Sequence, residues 1–153
     1  MNTFIEIFDS HFRTIHGRSC EFVALLPSER LFWKPSIESY SCGEYLLRSA
    51  AAVEQTFGGI TVRLWDDPFE WTLPEELSTR DRIVEYLDEV EATRNKGFAY
   101  FTSDADLRRQ IPAPEELTSI FELLLDTVSR ANHFQGRAFA IFQAFSNDKL
   151  PRV

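Results

Sequence analysis

Three histidines, His11, His16 and His133, and two cysteines, Cys20 and Cys42, occur in the chain, so chemistry that needs an imidazole or a thiol has few places to reside. His133 stands one turn after Ser129 in the segment Ser129-Arg130-Ala131-Asn132-His133-Phe134-Gln135-Gly136. Leu125, Ser129, His133, Gly136 and Ala140 recur at helical spacing as a second stripe beside a purely apolar one, and its small and polar members predict room in a helical interior. Two readings stand. In one, His133 is a core histidine bonded to Ser129 or to a carbonyl one turn back. In the other, Ser129 and His133 are a hydrolytic pair, although one helix lacks the strained turn that exposes a nucleophile and no oxyanion donors accompany it. No catalytic residue is assigned.

Arg48 is the second anomaly. Between Tyr45 and Val53 only Arg48 and Ser49 are polar, which predicts a helix apolar around most of its circumference and an arginine at least partly buried. A buried guanidinium needs a carboxylate or a bound anion. Glu44, Glu54, Glu122 and Asp126 are the candidate internal partners. Arg94, in the stripe from Val90 to Gly97, raises the same question less strongly. His16 and Cys20, one turn apart, have the spacing of a metal pair, but two donors without a third ordinarily reflect packing. No HExxH, CxxC, P-loop or GxGxxG occurs, so the signatures of zinc proteases, redox dithiols and nucleotide binders are missing.

The elements that must position these groups follow from periodicity. Phe4, Phe8, Phe12, Ile15, Phe22 and Leu26 fall at steps of three and four, with Ser19 in the missing place, and predict a first helix that Pro27 ends. A short segment Ser28 to Trp33 is closed by Pro35. Ser41 and Glu44 form a capping pair for a second helix, which Gly58-Gly59 is expected to end. Residues 60–77, with Pro68, Pro74 and the aromatics Trp65, Phe69 and Trp71, read as an irregular connection. A third helix is expected from the cap Ser78, carrying Ile83, Tyr86, Leu87, Val90, Gly97, Phe98 and Phe101. Asp81, Glu85, Asp88 and Glu89 lie opposite, as a solvated acidic face. After Pro112 and Pro114, a fourth helix is predicted from about Glu115 to Phe145 through Leu117, Phe121, Leu124, Val128, Ala131, Gln135, Ala138, Phe142 and Phe145. The fold class is therefore all-α, a single four-helix bundle. Its two long connections predict crossovers between helices not adjacent in sequence.

The 153 residues carry a net charge of -8 and are 44% hydrophobic, 14% aromatic and 26% charged. One domain is expected, large enough to fold without disulfides or metal. Nucleic acid is excluded as an expected partner because phosphate neutralisation needs a basic surface. No stretch reaches the length of a membrane span and the acidic N-terminal residues do not read as a signal peptide, so a cytoplasmic protein with reduced thiols and no membrane partner is expected. Phe32, Trp33, Trp65 and Trp71 read as core or covering packing, with an apolar ligand pocket as the alternative.

The order of features resembles the DinB/YfiT-like superfamily of bacterial four-helix bundles over nearly the whole chain. Leu31-Phe32-Trp33-Lys34-Pro35 is similar to that family's "L-x-x-[RK]-P" stretch, Ser36-Ile37 and Gly43-Glu44-Tyr45-Leu46-Leu47 to its "S-x-x-E-L-L" motif, and Asn132-His133-Phe134-Gln135-Gly136 to its "H-x-G-Q". The resemblance implies a divalent metal held by three histidines, one on the second helix and two on the fourth, serving thiol-dependent transferases or hydrolases. Those positions fall on Arg48, Ser129 and His133, of which only His133 is a ligand type, and a guanidinium repels a dication. The expectation is thus a bundle without metal or cofactor that binds a small anionic or thiol-bearing ligand between its helices through Arg48, Ser129 and His133. Two alternatives remain open: a non-catalytic structural or interaction protein, and a metal-dependent thiol transferase or hydrolase recruiting Glu54, Asp126 or His16. The resemblance and the aromatic content together imply a homodimer that pairs through helices one and four.

Overall fold

Helix α1, Thr3–Leu25, buries Phe8, Phe12, Ile15, Ser19 and Phe22, the stripe that periodicity marks. The computed structural model describes residues 2–67 and 77–153. Pro27 cannot continue the helix and forces the residue before it into an extended conformation; Leu26 takes ψ 122°. A 3-10 turn follows at Ser28–Arg30. Helix α2, Cys42–Val62, starts where Ser41 Oγ accepts the Glu44 N–H at 3.1 Å.

The expected stop of α2 at Gly58-Gly59 is corrected. The helix runs to Val62 and leaves through Arg63, whose φ of 60° is left-handed. Gly59 serves close approach instead, since a Cβ there would meet the Trp65 ring at 2.3 Å. Arg63 is held in its unusual conformation by its N–H to the Gly59 carbonyl at 3.1 Å and by its guanidinium to the Ile60 carbonyl at 2.6 Å. A cation on the last carbonyls suits a helix C-terminus.

Helix α3, Arg80–Phe98, is capped by Thr79, one residue beyond the expected Ser78, and buries Ile83, Tyr86, Leu87, Val90, Arg94 and Gly97. Phe101 lies past its end but is still buried. The expected start of the fourth helix at Glu115 is also corrected. Gln110–Pro112 and Leu117–Ser119 form a small antiparallel hairpin with Gln110 opposite Ser119, so Glu115 and Glu116 lie in its turn. Helix α4, Ile120–Gln143, begins only where Ser119 and Glu122 form a reciprocal capping box. The expectations for Pro68, Phe69, Trp71 and Pro74 lie outside the described residues.

The four helices form an all-α bundle. Helix α2 packs on α4 and α3, and α1 packs on α3 and α4. Consecutive α1 and α2 therefore sit diagonally, as do α3 and α4, so of the two long connections marked in the sequence the one after α3 crosses over and the one after α2 joins helices that pack on each other. Phe12, Phe57 and Phe98 meet ring to ring at 5.3–6.0 Å, and Phe22 meets Phe142 at 5.4 Å. Polar interruptions of the apolar stripes answer one another across the core. Gln135 Nε2 donates to Ser19 Oγ at 2.9 Å and to the Ile15 carbonyl at 2.8 Å. Thr56 and Thr127 share a hydrogen bond of 2.6 Å, and Ser49 Oγ donates to the Ala131 carbonyl at 2.8 Å. Among the described residues no helix is long and apolar enough to cross a membrane.

Candidate functional site

The stripe that carries His133 does not enter the bundle. Ser129, His133, Gly136 and Ala140 are exposed, and Leu125 is 54% exposed. The reason is angular: at about 100° per residue, Ser129 and His133 stand roughly 120° to 160° from Ala131 and Gln135. Ala131 and Gln135 take the core side. His133 Nε2 accepts from Arg137 Nε at 3.0 Å, and not from Ser129. The expectation of an interior Ser129–His133 stripe is corrected accordingly.

Arg48 is half-buried, its guanidinium carbon 5.2 Å from the Phe134 ring centroid and 5.6 Å from that of Tyr40. With Ala52, Gln55, Asp67, Arg130 and Phe134 it lines a groove of about 160 Å³. The four carboxylates expected as its partners are engaged elsewhere. Glu54 accepts from Tyr86 Oη, Asp126 pairs with Arg130 at 2.9 Å, Glu122 caps α4, and Glu44 faces Lys34 at 3.5 Å.

The deeper charge is Arg94. Its side chain is only 2% exposed, and its Nε is the one buried side-chain nitrogen or oxygen without a hydrogen-bond partner among the described residues. The guanidinium donates from Nη2 to Asn95 Oδ1 at 3.1 Å, while Asp9 Oδ1 stays 4.0 Å from Nε. Burial pulls the Arg94 pKa down, and Asp9 and Glu91 oppose that pull. Arg94 lines a small cavity of about 30 Å³ between α1, α2 and α3, walled mostly by apolar residues such as Phe12, Val53 and Leu87, with His16, Ser19, Ser49 and Glu91 as its other polar members. Helix α3 turns Arg94 inward because it falls one turn after Val90 on the buried stripe.

At the edge of this cavity α1 and α3 bring four more groups together. His16 Nε2 contacts Glu91 Oε2, and it lies 3.5 Å from Cys20 Sγ and 3.9 Å from Asp88 Oδ1. The ligand atoms of His16, Cys20 and Asp88 all fall within 4.8 Å of one another. Partial burial, followed by the fields of Asp88 and Glu91, pushes the Cys20 thiol up from its ordinary pKa. The expectation that Asp88 belongs to a purely solvated face is corrected in part. It is exposed, yet its carboxylate turns to His16. The sequence signal for this is faint: a His/Cys pair at i, i+4 on one helix and an acidic pair at i, i+3 on another, with nothing to say that the two faces meet. Comparison with family models, with curated proteins and with solved structures returns no match for this chain.

Proposed function

We propose that this protein binds a small anionic ligand between its helices, with the Arg94 guanidinium as counter-charge in the cavity of α1, α2 and α3. The observation that carries the reading is the unpartnered Nε of a guanidinium that is 2% exposed. A buried cation costs several kcal/mol unless an anion answers it closely, and Asp9 pairs with Arg94 only at 4.0 Å, leaving Nε without a hydrogen bond. The cavity of about 30 Å³ has room for one or two water-sized groups, so the buried part of the ligand is carboxylate-sized. The reading keeps the anionic or thiol-bearing ligand inferred from sequence and moves its anchor from Arg48 to Arg94. Kinship with DinB/YfiT-like bundles belongs to the same proposal, supported by the four-helix fold and by the motifs around Pro35, Glu44 and His133. A reducing, cytoplasmic setting is supported by the two free cysteines, Cys20 and Cys42.

A second reading is structural, favoured by the proximity of Asp9: Arg94 ties α3 to α1 and holds nothing else. Thermal unfolding in sodium formate, compared with sulfate at equal ionic strength, separates the two. Ligand binding predicts saturable stabilisation by formate that is absent in Arg94→Met, whose ligand-free stability equals or exceeds that of the parent. The structural reading predicts no formate effect and a loss of about 3 kcal/mol in Arg94→Met, the scale for breaking a buried ion pair.

A further inference from the structure

The contact face of α1 and α3 holds a donor set that the anion reading leaves unused. We infer that His16, Cys20, Asp88 and Glu91 bind a divalent transition-metal ion of the zinc class. The inference goes beyond the anionic-ligand reading and does not depend on it.

The donor types come first. One imidazole nitrogen, one sulfur and one carboxylate lie together as an N, S, O set suited to zinc, with the Glu91 carboxylate beside His16 as the candidate fourth donor, whereas magnesium and calcium prefer oxygen alone. Geometry comes second. A tetrahedral ion with bonds of about 2.0 Å to nitrogen or oxygen and 2.3 Å to sulfur sets its ligand atoms roughly 3.3 to 3.6 Å apart. His16 Nε2 already stands 3.5 Å from Cys20 Sγ and 3.9 Å from Asp88 Oδ1. Bringing Asp88 to tetrahedral distance from both His16 and Cys20, across a set whose ligand atoms now span up to 4.8 Å, needs a shift of about an ångström by the Asp88 side chain, which is 68% exposed. The Glu91 carboxylate, now on the same nitrogen, would turn to the ion instead.

The scaffold comes third. His16 and Cys20 at i, i+4 share one face of α1, and Asp88 and Glu91 at i, i+3 share one face of α3. Each helix thereby contributes two rigidly spaced donors, the arrangement by which facing bundle helices build metal sites. Asp88 on the solvent side gives the ion a path in. A fourth observation points the same way from inside. His16 and Glu91 also wall the cavity that the Arg94 side chain lines. An anion on the ion's inner side would therefore meet both the metal and the guanidinium.

Calorimetric titration of the EDTA-dialysed full chain with zinc chloride, alongside cobalt(II) absorption spectra, tests this. One ion should bind per chain, and cobalt should show a thiolate charge-transfer band in the near ultraviolet. Cys20→Ser should abolish the band. Asp88→Asn, at an exposed position that cannot unfold the protein, should weaken zinc binding at least about tenfold, the scale set even by outer-shell partners. His133→Ala and Arg94→Met should leave both signals in place. Absence of 1:1 uptake overturns the inference, as does binding that survives Cys20→Ser and Asp88→Asn undiminished. Because Arg94→Met removes formate stabilisation but not zinc uptake, failure of either proposal leaves the other readable.

Discussion

Gln135 interrupts the apolar stripe of α4 and Ser19 that of α1, and each satisfies the other in a region that water does not reach. Gln135 is 2% and Ser19 is 3% exposed. Gln135→Leu leaves Ser19 Oγ without its donor and should cost about 1 to 3 kcal/mol in denaturant unfolding. Cys42 behaves differently, because its partner is a carbonyl and its cost is ionisation. The thiol is fully buried, donates to the Ala138 carbonyl at 3.3 Å, and burial pushes its pKa from 9.0 up to about 12. Above pH 9 the unfolded chain releases this proton while the native chain keeps it, so the unfolded state binds fewer protons and stability falls as pH rises. Cys42's share is therefore complete below pH 9 and lost between pH 9 and about 12. Tyr86, pushed up by burial and by Glu54, adds to the same alkaline slope. Urea unfolding at stepped pH should show a shallower alkaline decline in Cys42→Ala, and an unchanged slope would contradict the assignment.

Glycines separate the helices into positions that need close approach and positions that do not. At Gly97 an added Cβ would lie 2.3 Å from Phe57 Cδ1, and the aromatic wall of Phe12, Phe57 and Phe98 gives the ring little room to yield. Gly97→Ala should destabilise the protein by about 1 to 3 kcal/mol despite its better helix propensity. Gly17 and Gly136, in the interiors of α1 and α4, have nothing within 4 Å of an added methyl group. Gly17→Ala and Gly136→Ala should each stabilise by about 0.5 to 1 kcal/mol, because they only restrict the unfolded backbone. Opposite signs in the melting temperatures of these variants are the expected result. The start of α4 rests on one reciprocal pair, Ser119 with Glu122. Ser119→Ala should cost about 1 kcal/mol.

The bundle leaves an apolar edge where α1 and α4 lie side by side. Phe4 is 50%, Ile7 47% and Leu125 54% exposed, and Phe4 meets Phe121 edge to face at 5.7 Å. A second copy of the chain is the partner that the sequence reading assigns to these two helices, and burying the exposed half of each such side chain is worth about 1 kcal/mol. Light scattering should return twice the 17.7 kDa chain mass at micromolar concentration. Ile7→Glu together with Leu125→Glu should return the single-chain mass. A parent protein that scatters as one chain over the same range refutes the pairing.

Helix existence was legible because it depends on local rules: the period of Phe8, Phe12, Ile15 and Phe22, the Ser41–Glu44 cap and the Pro27 stop act within one or two turns. Boundaries were less so. Gly58-Gly59 could equally end a helix or admit Trp65, and only the position of Trp65 decides between them. The hairpin before α4 was hidden for a related reason, since Leu117 continues the helical period that the strand pairing with Gln110–Pro112 overrides. For the candidate site, residue types fixed what each group could do, but not which groups face one another. Arg48 and Arg94 both break apolar stripes, and the diagonal placement of α1 and α2 with α3 between them buries the second more deeply. His16 with Cys20 and Asp88 with Glu91 lie some seventy residues apart, and no local rule brings them to one point. Their meeting is a property of helix packing, because the burial of α1 and α3 against each other sets the rotation of both helices at once.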